Sequence, residues 1–441
     1  MRRLLLFFFV IVNFQLAIGQ VWLLPSEKTQ CVIPFEIINN LIVVSVKLNA
    51  EPLTFILDNG VKETLLFGEV DSLRLKNTSA FTFQGFGIGK PISGLMSRHN
   101  RLEIGSAVDT SHHLYVITDT AFNLSKNIGV HIHGILGSAF FRTNGVAIDY
   151  IKKKIVIARN VDDLGINIAK YTAYPISIEN DRAYSIVDFV TPKNTYTQQK
   201  LLLDLGNSDP MMLFAPELEN YTIAKPYIRD YLGFGFNGAV FGLKNRISKL
   251  IIGDYTIPLP IVSYPDTNSY DRERIVKGRV GSIGNQILSR FYVILDYTNG
   301  TVYLRTNRNF KKPYTLDMSG LEIVHSGFEF VRHRVTNFVE RGNEGGTTIN
   351  FSTEVNYLIE LHASYVIDQV RPNSPAENVG IKVGDKLTKI NGRKVGKMKL
   401  QDIKNKLQAG EDKLVKIEIE RENKKMVVEF RLEDPLSLAK E

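Results

Sequence analysis

With 441 residues, 44% of them apolar and 23% charged, the composition is that of a globular protein large enough for about three domains. The net charge is +8, two of it from Arg2 and Arg3, and the remaining cations form no aromatic-interleaved basic stripe of the kind that nucleic acid requires. A single cysteine, Cys31, excludes an intramolecular disulfide.

Residues 1–19 read as a secretory signal: Arg2-Arg3, an unbroken apolar run from Leu4 to Val12, then Ala17-Ile18-Gly19 as a small-x-small cleavage site. The apolar run is too short to span a bilayer, and no later run is long enough. The expectation is an exported protein, periplasmic, cell-surface or secreted, with no stable membrane span.

Residues 20–168 show short apolar strands separated by turn residues. Leu41–Leu48 predicts one strand, and Leu53–Leu57 predicts a second that is apolar without alternation, hence buried on both faces. That strand ends in Asp58-Asn59-Gly60. Downstream lie the glycine-rich stretch Gly85-Phe86-Gly87-Ile88-Gly89, then Gly134-Ile135-Leu136-Gly137, then Val146-Ala147-Ile148-Asp149-Tyr150 and a return strand within 151–158.

Residues 169–315 repeat this order. Leu201-Leu202-Leu203-Asp204-Leu205-Gly206 follows the first acidic strand by 146 positions. Gly85–Gly105 aligns without a gap onto Gly233–Gly253, and Gly134, Gly137, Asp149 and Tyr150 match Gly281, Gly284, Asp296 and Tyr297. Three landmarks in one register mean duplication. Two similar β lobes about a pseudo-two-fold would bring Asp58 and Asp204 together.

After Lys311-Lys312-Pro313 the composition changes. Ser374-Pro375-Ala376, Gly380, Gly384-Asp385 and Asn391-Gly392 mark a compact third unit over 316–441, with Asn391-Gly392 a two-residue hairpin and Leu400–Leu407 a helix. Gly327–Asn350 is polar and irregular, which predicts an insertion or a mobile loop.

Two carboxylates at one apolar junction cannot both ionise cheaply. At 4 Å and an effective dielectric near 20 they repel by about 4 kcal/mol. Such a pair shares one proton: the ionised member can deprotonate water while the protonated member polarises a carbonyl.

These residues resemble the aspartic proteases of the pepsin and retroviral clan, most closely the exported bacterial aspartyl proteases that carry a C-terminal PDZ domain. The resemblance implies a mainly β fold: bilobal, duplicated acid-protease-like barrels followed by a small α+β PDZ domain. It implies an aspartic-type endopeptidase with Asp58 and Asp204 catalytic, Asn59, Gly60, Leu205, Gly206 and Asn207 shaping their loops, and Gly85, Phe86, Gly87, Ile88 and Gly89 as a flap over a polypeptide substrate. Ile135-Leu136-Gly137 and Ser282-Ile283-Gly284 resemble the strand that crosses beneath each Asp loop. The family's Thr after each Asp is replaced by Asn59 and Leu205, and a non-catalytic peptide-binding protein of the same fold is the alternative.

A PDZ domain implies capture of peptide C-termini by strand addition, here with Tyr357, Leu358 and Ile359 as the groove. No cofactor is expected and no metal site: His112-His113 and His131-x-His133 read as structural, and neither a His-Glu-x-x-His nor a Gly-x-Ser-x-Gly motif occurs.

Overall fold

The computed structural model describes residues 21–68, 73–83, 92–118, 124–235, 238–342 and 349–437, with side chains in all of these except 83, 336–342 and 349–355. The expected signal segment 1–19 lies outside the described residues. The chain is mainly β.

In chain order the first half contains β1 (Gln30–Ile38), β2 (Leu41–Leu48), β3 (Glu51–Leu57), β4 (Thr64–Phe67), β5 (Ser79–Phe83), β6 (Ile92–Ile104), β7 (Ala107–Ile117), α1 (Leu124–Ile128), β8 (Gly134–Leu136), β9 (Gly145–Asp149) and β10 (Lys154–Ala158). Next come β11 (Thr172–Glu179), β12 (Arg182–Val190), β13 (Thr195–Asp204), β14 (Met211–Leu213), β15 (Tyr227–Gly235), β16 (Gly238–Arg246), β17 (Lys249–Ile252), β18 (Tyr255–Pro258), β19 (Ile261–Pro265), β20 (Arg279–Gly284), α2 (Asn285–Leu288), β21 (Phe291–Asp296) and β22 (Thr301–Thr306).

The repeat seen in the sequence is a repeat of strand pairing. β3 runs parallel to β8, with Leu57 opposite Leu136. β13 runs parallel to β20, with Leu203 opposite Ile283. β4 pairs antiparallel with β8 and parallel with β7, and β14 does the same with β20 and β19. One central sheet, β1-β10-β9-β21-β22-β11, takes three strands from each half. At its middle Ala147 lies opposite Ile294. These positions are repeat equivalents, by the offset that carries Asp149-Tyr150 onto Asp296-Tyr297. Equivalent residues that face each other sit on the pseudo-two-fold itself.

The apolar character of β3 and β13 has the expected cause. Phe55, Ile56, Leu57, Leu201, Leu202 and Leu203 are all buried, because each strand is covered on both faces. One core takes in residues of both halves, from Trp22 to Tyr314, and also holds Leu436.

The C-terminal part contains β23 (Leu321–Gly342), β24 (Ile349–Val370), α3 (Pro375–Asn378), β25 (Lys386–Ile390), β26 (Arg393–Lys394), α4 (Leu400–Leu407), β27 (Leu414–Arg421) and β28 (Lys424–Arg431). Its own core runs from Met318 to Leu432. Asn391 and Gly392 both have positive φ, 49° and 76°, as the two-residue hairpin demands. Gly327–Asn350 corrects the sequence reading. Its described residues, 327–342 and 349–350, form no irregular insertion but part of a long hairpin, β23 against β24, registered as far as Gly342 opposite Ile349; residues 343–348 lie outside the described residues. Phe328 and Phe330 on it are exposed, so the inside–outside alternation that identifies a strand is blurred.

Candidate active site

Asp58 follows β3, its backbone N–H bonded to Leu136 O at 3.0 Å. Asp204 ends β13 opposite Gly284. Each carboxylate bends back to cap its own turn. Asp58 Oδ1 accepts from Gly60 N at 2.7 Å, and Asp204 Oδ1 accepts from Gly206 N at 3.1 Å and Asn207 N at 3.2 Å.

The two turns interlock. A Cβ on Gly60 would lie 2.7 Å from Asp204 Oδ1 and 3.1 Å from Asp58 Oδ1, and a Cβ on Gly206 would lie 2.2 Å from Asp58 Cγ. Glycine is required at both positions because the carboxylate of the other half occupies the place of the side chain. Asp58 and Asp204, 146 residues apart, are therefore neighbours.

Asn59 is fully buried and bridges the halves. Its Oδ1 accepts from Leu205 N at 2.8 Å, and its Nδ2 donates to Tyr297 Oη at 3.1 Å. Leu205 is buried in the apolar core and offers only its backbone. Tyr150, the repeat equivalent of Tyr297, likewise reaches across, donating to Asn285 Oδ1 at 2.5 Å. Asn207 holds the second turn against its crossing strand, donating from Nδ2 to Ser282 Oγ at 3.1 Å.

Burial, then the Asp204 charge, pushes Asp58 up to about 7. Burial also raises Asp204, against the opposing pull of Arg279 and its own backbone N–H bonds. Arg182 lowers both, and its Nε is buried without a hydrogen-bond partner among the described residues. Arg279 is itself buried, with Nε donating to Gly281 O at 3.0 Å. The arrangement keeps a proton on the pair near neutral pH and biases the negative charge toward Asp204.

Both carboxylates open into a cleft of about 1200 Å³ lined by residues of both halves. The β15–β16 hairpin, with Gly235 opposite Gly238, forms one wall through Tyr231, Phe234 and Phe241. The corresponding glycine-rich stretch of the first half, Gly85, Phe86, Gly87, Ile88 and Gly89, lies outside the described residues.

The far wall comes from the C-terminal part: Gly320, Leu321 and Glu322 at the start of β23, and Gln401, Lys404 and Asn405 on α4. Asn39 N donates to Gln401 Oε1 at 2.6 Å, Arg371 pairs with Asp230 at 3.7 Å, and Arg246 bonds Asp434 at 2.9 Å. The sequence profile of the PDZ domain matches residues 366–421.

This segment is a PDZ domain.

A search among curated proteins finds no match to the chain. The PDZ match takes in the end of β24, α3, β25, β26, α4 and β27. Peptide binding by a PDZ domain adds a strand to an open sheet edge. β23 is an edge strand, pairing among the described residues with β24 alone; α1 and α4 both pack against it, with Lys404 bonded to Glu322 at 2.6 Å. A turn at Ser319-Gly320-Leu321 leads into that edge, its N–H groups gathered on Asp317 Oδ1 at 2.6–3.2 Å.

The three residues expected as the groove lie elsewhere on the hairpin. Tyr357, Leu358 and Ile359 are exposed and lie opposite Arg334, His333 and Arg332 on the outer part of the hairpin. α4 packs at the base of β23. The sequence reading also passed over Arg182, Arg279 and Tyr297. Only Tyr297 left a signal, as the repeat partner of Tyr150.

His112 is buried between Asp109 Oδ2 at 2.7 Å and Thr64 Oγ1 at 2.8 Å, and His133 Nδ1 accepts from Thr54 N at 3.1 Å. No helix among the described residues is long and apolar enough to cross a membrane.

Proposed function

We propose that the chain is an aspartic-type endopeptidase that cleaves extended polypeptides, with its PDZ domain binding peptide or protein chains beside the same cleft. The observation that supports this most is the interlocked pair, Asp58 and Asp204, at the floor of a cleft large enough for a peptide.

In this reading Asp204 carries the charge and Asp58 the proton. Asp204 takes a proton from water as the water oxygen attacks the peptide carbonyl carbon, and Asp58 donates its proton to the carbonyl oxygen. The tetrahedral diol then collapses: one diol hydroxyl returns its proton to Asp58, the C–N bond breaks, and the leaving nitrogen takes the proton held by Asp204. No covalent intermediate with the chain is formed. The fold is read as two acid-protease-like β lobes, and the protein as one exported after loss of residues 1–19.

A second reading, peptide binding without turnover, is favoured by Leu205, which leaves the cross-bridge one-sided. Incubating residues 20–441 with unfolded protein between pH 3 and 7 separates the two. Cleavage that vanishes in Asp58→Asn and in Asp204→Asn supports the peptidase. Retained peptide binding with no cleavage at any pH refutes it.

A further inference from the structure

We propose that His333, Glu360 and His362 form a binding site for a divalent transition metal, Zn²⁺ being the best chemical fit, on the β23–β24 hairpin beside the PDZ domain. Side chains two apart in a strand share a face, which places Glu360 and His362 together. His333, opposite Leu358 in the register, shares that face. Glu360 Oε2 lies 3.3 Å from His333 Nε2 and 2.9 Å from His362 Nε2. All three candidate ligand atoms fall within 4.8 Å of one another. A tetrahedral Zn²⁺ with bonds of about 2.0–2.1 Å needs its ligand atoms about 3.3–3.4 Å apart, so closure requires only small side-chain movements.

Two further features point to a cation. His333 Nε2 is buried and, apart from its contact with Glu360, has no hydrogen-bond partner among the described residues. Lys397 Nζ sits 2.7 Å from the same Glu360 oxygen, on a side chain that is 62% exposed. A positive group already occupies the open side of the cluster, and it can swing into solvent when a metal takes its place. Gly396 leaves room for the His362 ring, since a Cβ there would lie 3.0 Å from His362 Cβ. Two imidazoles and one carboxylate suit Zn²⁺ better than Ca²⁺ or Mg²⁺, which favour oxygen ligands. Three protein ligands leave a fourth position for water or for a group from a bound chain. The metal would tie β23 to β24 where the hairpin leaves the PDZ core.

The test is competition dialysis of untagged residues 20–441 against Zn²⁺ with a chelating indicator at pH 7.5. One site of micromolar affinity or better is expected. His333→Ala and His362→Asn should each weaken it by about 10–100-fold, and Lys397→Ala should keep or tighten it. His131→Ala/His133→Ala and His99→Ala/His113→Ala remove two other close histidine pairs and should change nothing. Binding only at millimolar Zn²⁺, or binding unchanged in His333→Ala/His362→Asn, overturns the proposal. His362 is buried, so His333→Ala, whose side chain is 40% exposed, decides the result if His362→Asn unfolds. The absorption spectrum of the Co²⁺ form gives an independent readout, and loss of its tetrahedral bands in His333→Ala is expected.

Discussion

Replacing Asp58 by Asn tests the shared proton through stability as well as through rate. Asp58 rises from 3.8 to about 7 on folding. Well below 3.8 the acid is protonated in both folded and unfolded chains and contributes nothing. As pH rises through 3.8 the unfolded chain ionises first, and the folded state loses stability progressively until Asp58 itself ionises near pH 7. The full penalty is about 4 kcal/mol. Water in the cleft reduces this, and about 2–4 kcal/mol is expected above pH 7. Asn is neutral throughout, and its Oδ1 can still accept from Gly60 N. Asp58→Asn should therefore come within about 0.6 kcal/mol of the parent at pH 4, exceed it by about 2–4 kcal/mol at pH 7.5, and lose turnover by about 10²–10⁴-fold. Urea unfolding at both pH values, followed by Trp22 fluorescence, measures this. Trp22 is the only tryptophan and is packed in the core common to both halves. A variant less stable than the parent at pH 7.5, or a difference independent of pH, refutes the reasoning.

Asn59→Ala removes the acceptor for Leu205 N and the donor to Tyr297. It should cost about 2–3 kcal/mol in the Trp22 transition and reduce kcat more than it raises KM, and steady-state kinetics decide this. Gly206→Ala drives a methyl into the Asp58 carboxyl group, and a purified, folded variant should be inactive toward unfolded protein. Arg421→Ala strips the two-point bond from buried Asp385, at 2.6 and 2.7 Å. It should destabilise the PDZ domain by about 2–3 kcal/mol, seen by circular dichroism with the Trp22 transition unmoved. The separate cores predict two unfolding steps in calorimetry, and a single step at all pH values would contradict that.

The duplication was legible because it left identical glycines, aspartates and tyrosines at constant offsets, and those residues sit where backbone and carboxylate must approach closely. The apolar runs of β3 and β13 were legible because burial on both faces removes alternation. The outer β23–β24 hairpin was not, since its exposed Phe328 and Phe330 break the usual inside–outside pattern. Arg182 and Arg279 were hidden for another reason. Arginine is common on surfaces, and only tertiary packing turns these two toward the acidic pair. The cluster of His333 with Glu360 and His362 spans a hairpin, so no linear spacing announces it.

Asn59 opposite Leu205 has a consequence for how such a molecule can vary. An enzyme assembled from two identical copies must place the same residue at both symmetry-related points, so a polar choice at one is forced on the other. Joining the halves in one polypeptide lifts that restriction. Here Asn59 supplies the side-chain link between the two turns while Leu205 joins the oil, a division of labour open only to a covalently fused pair.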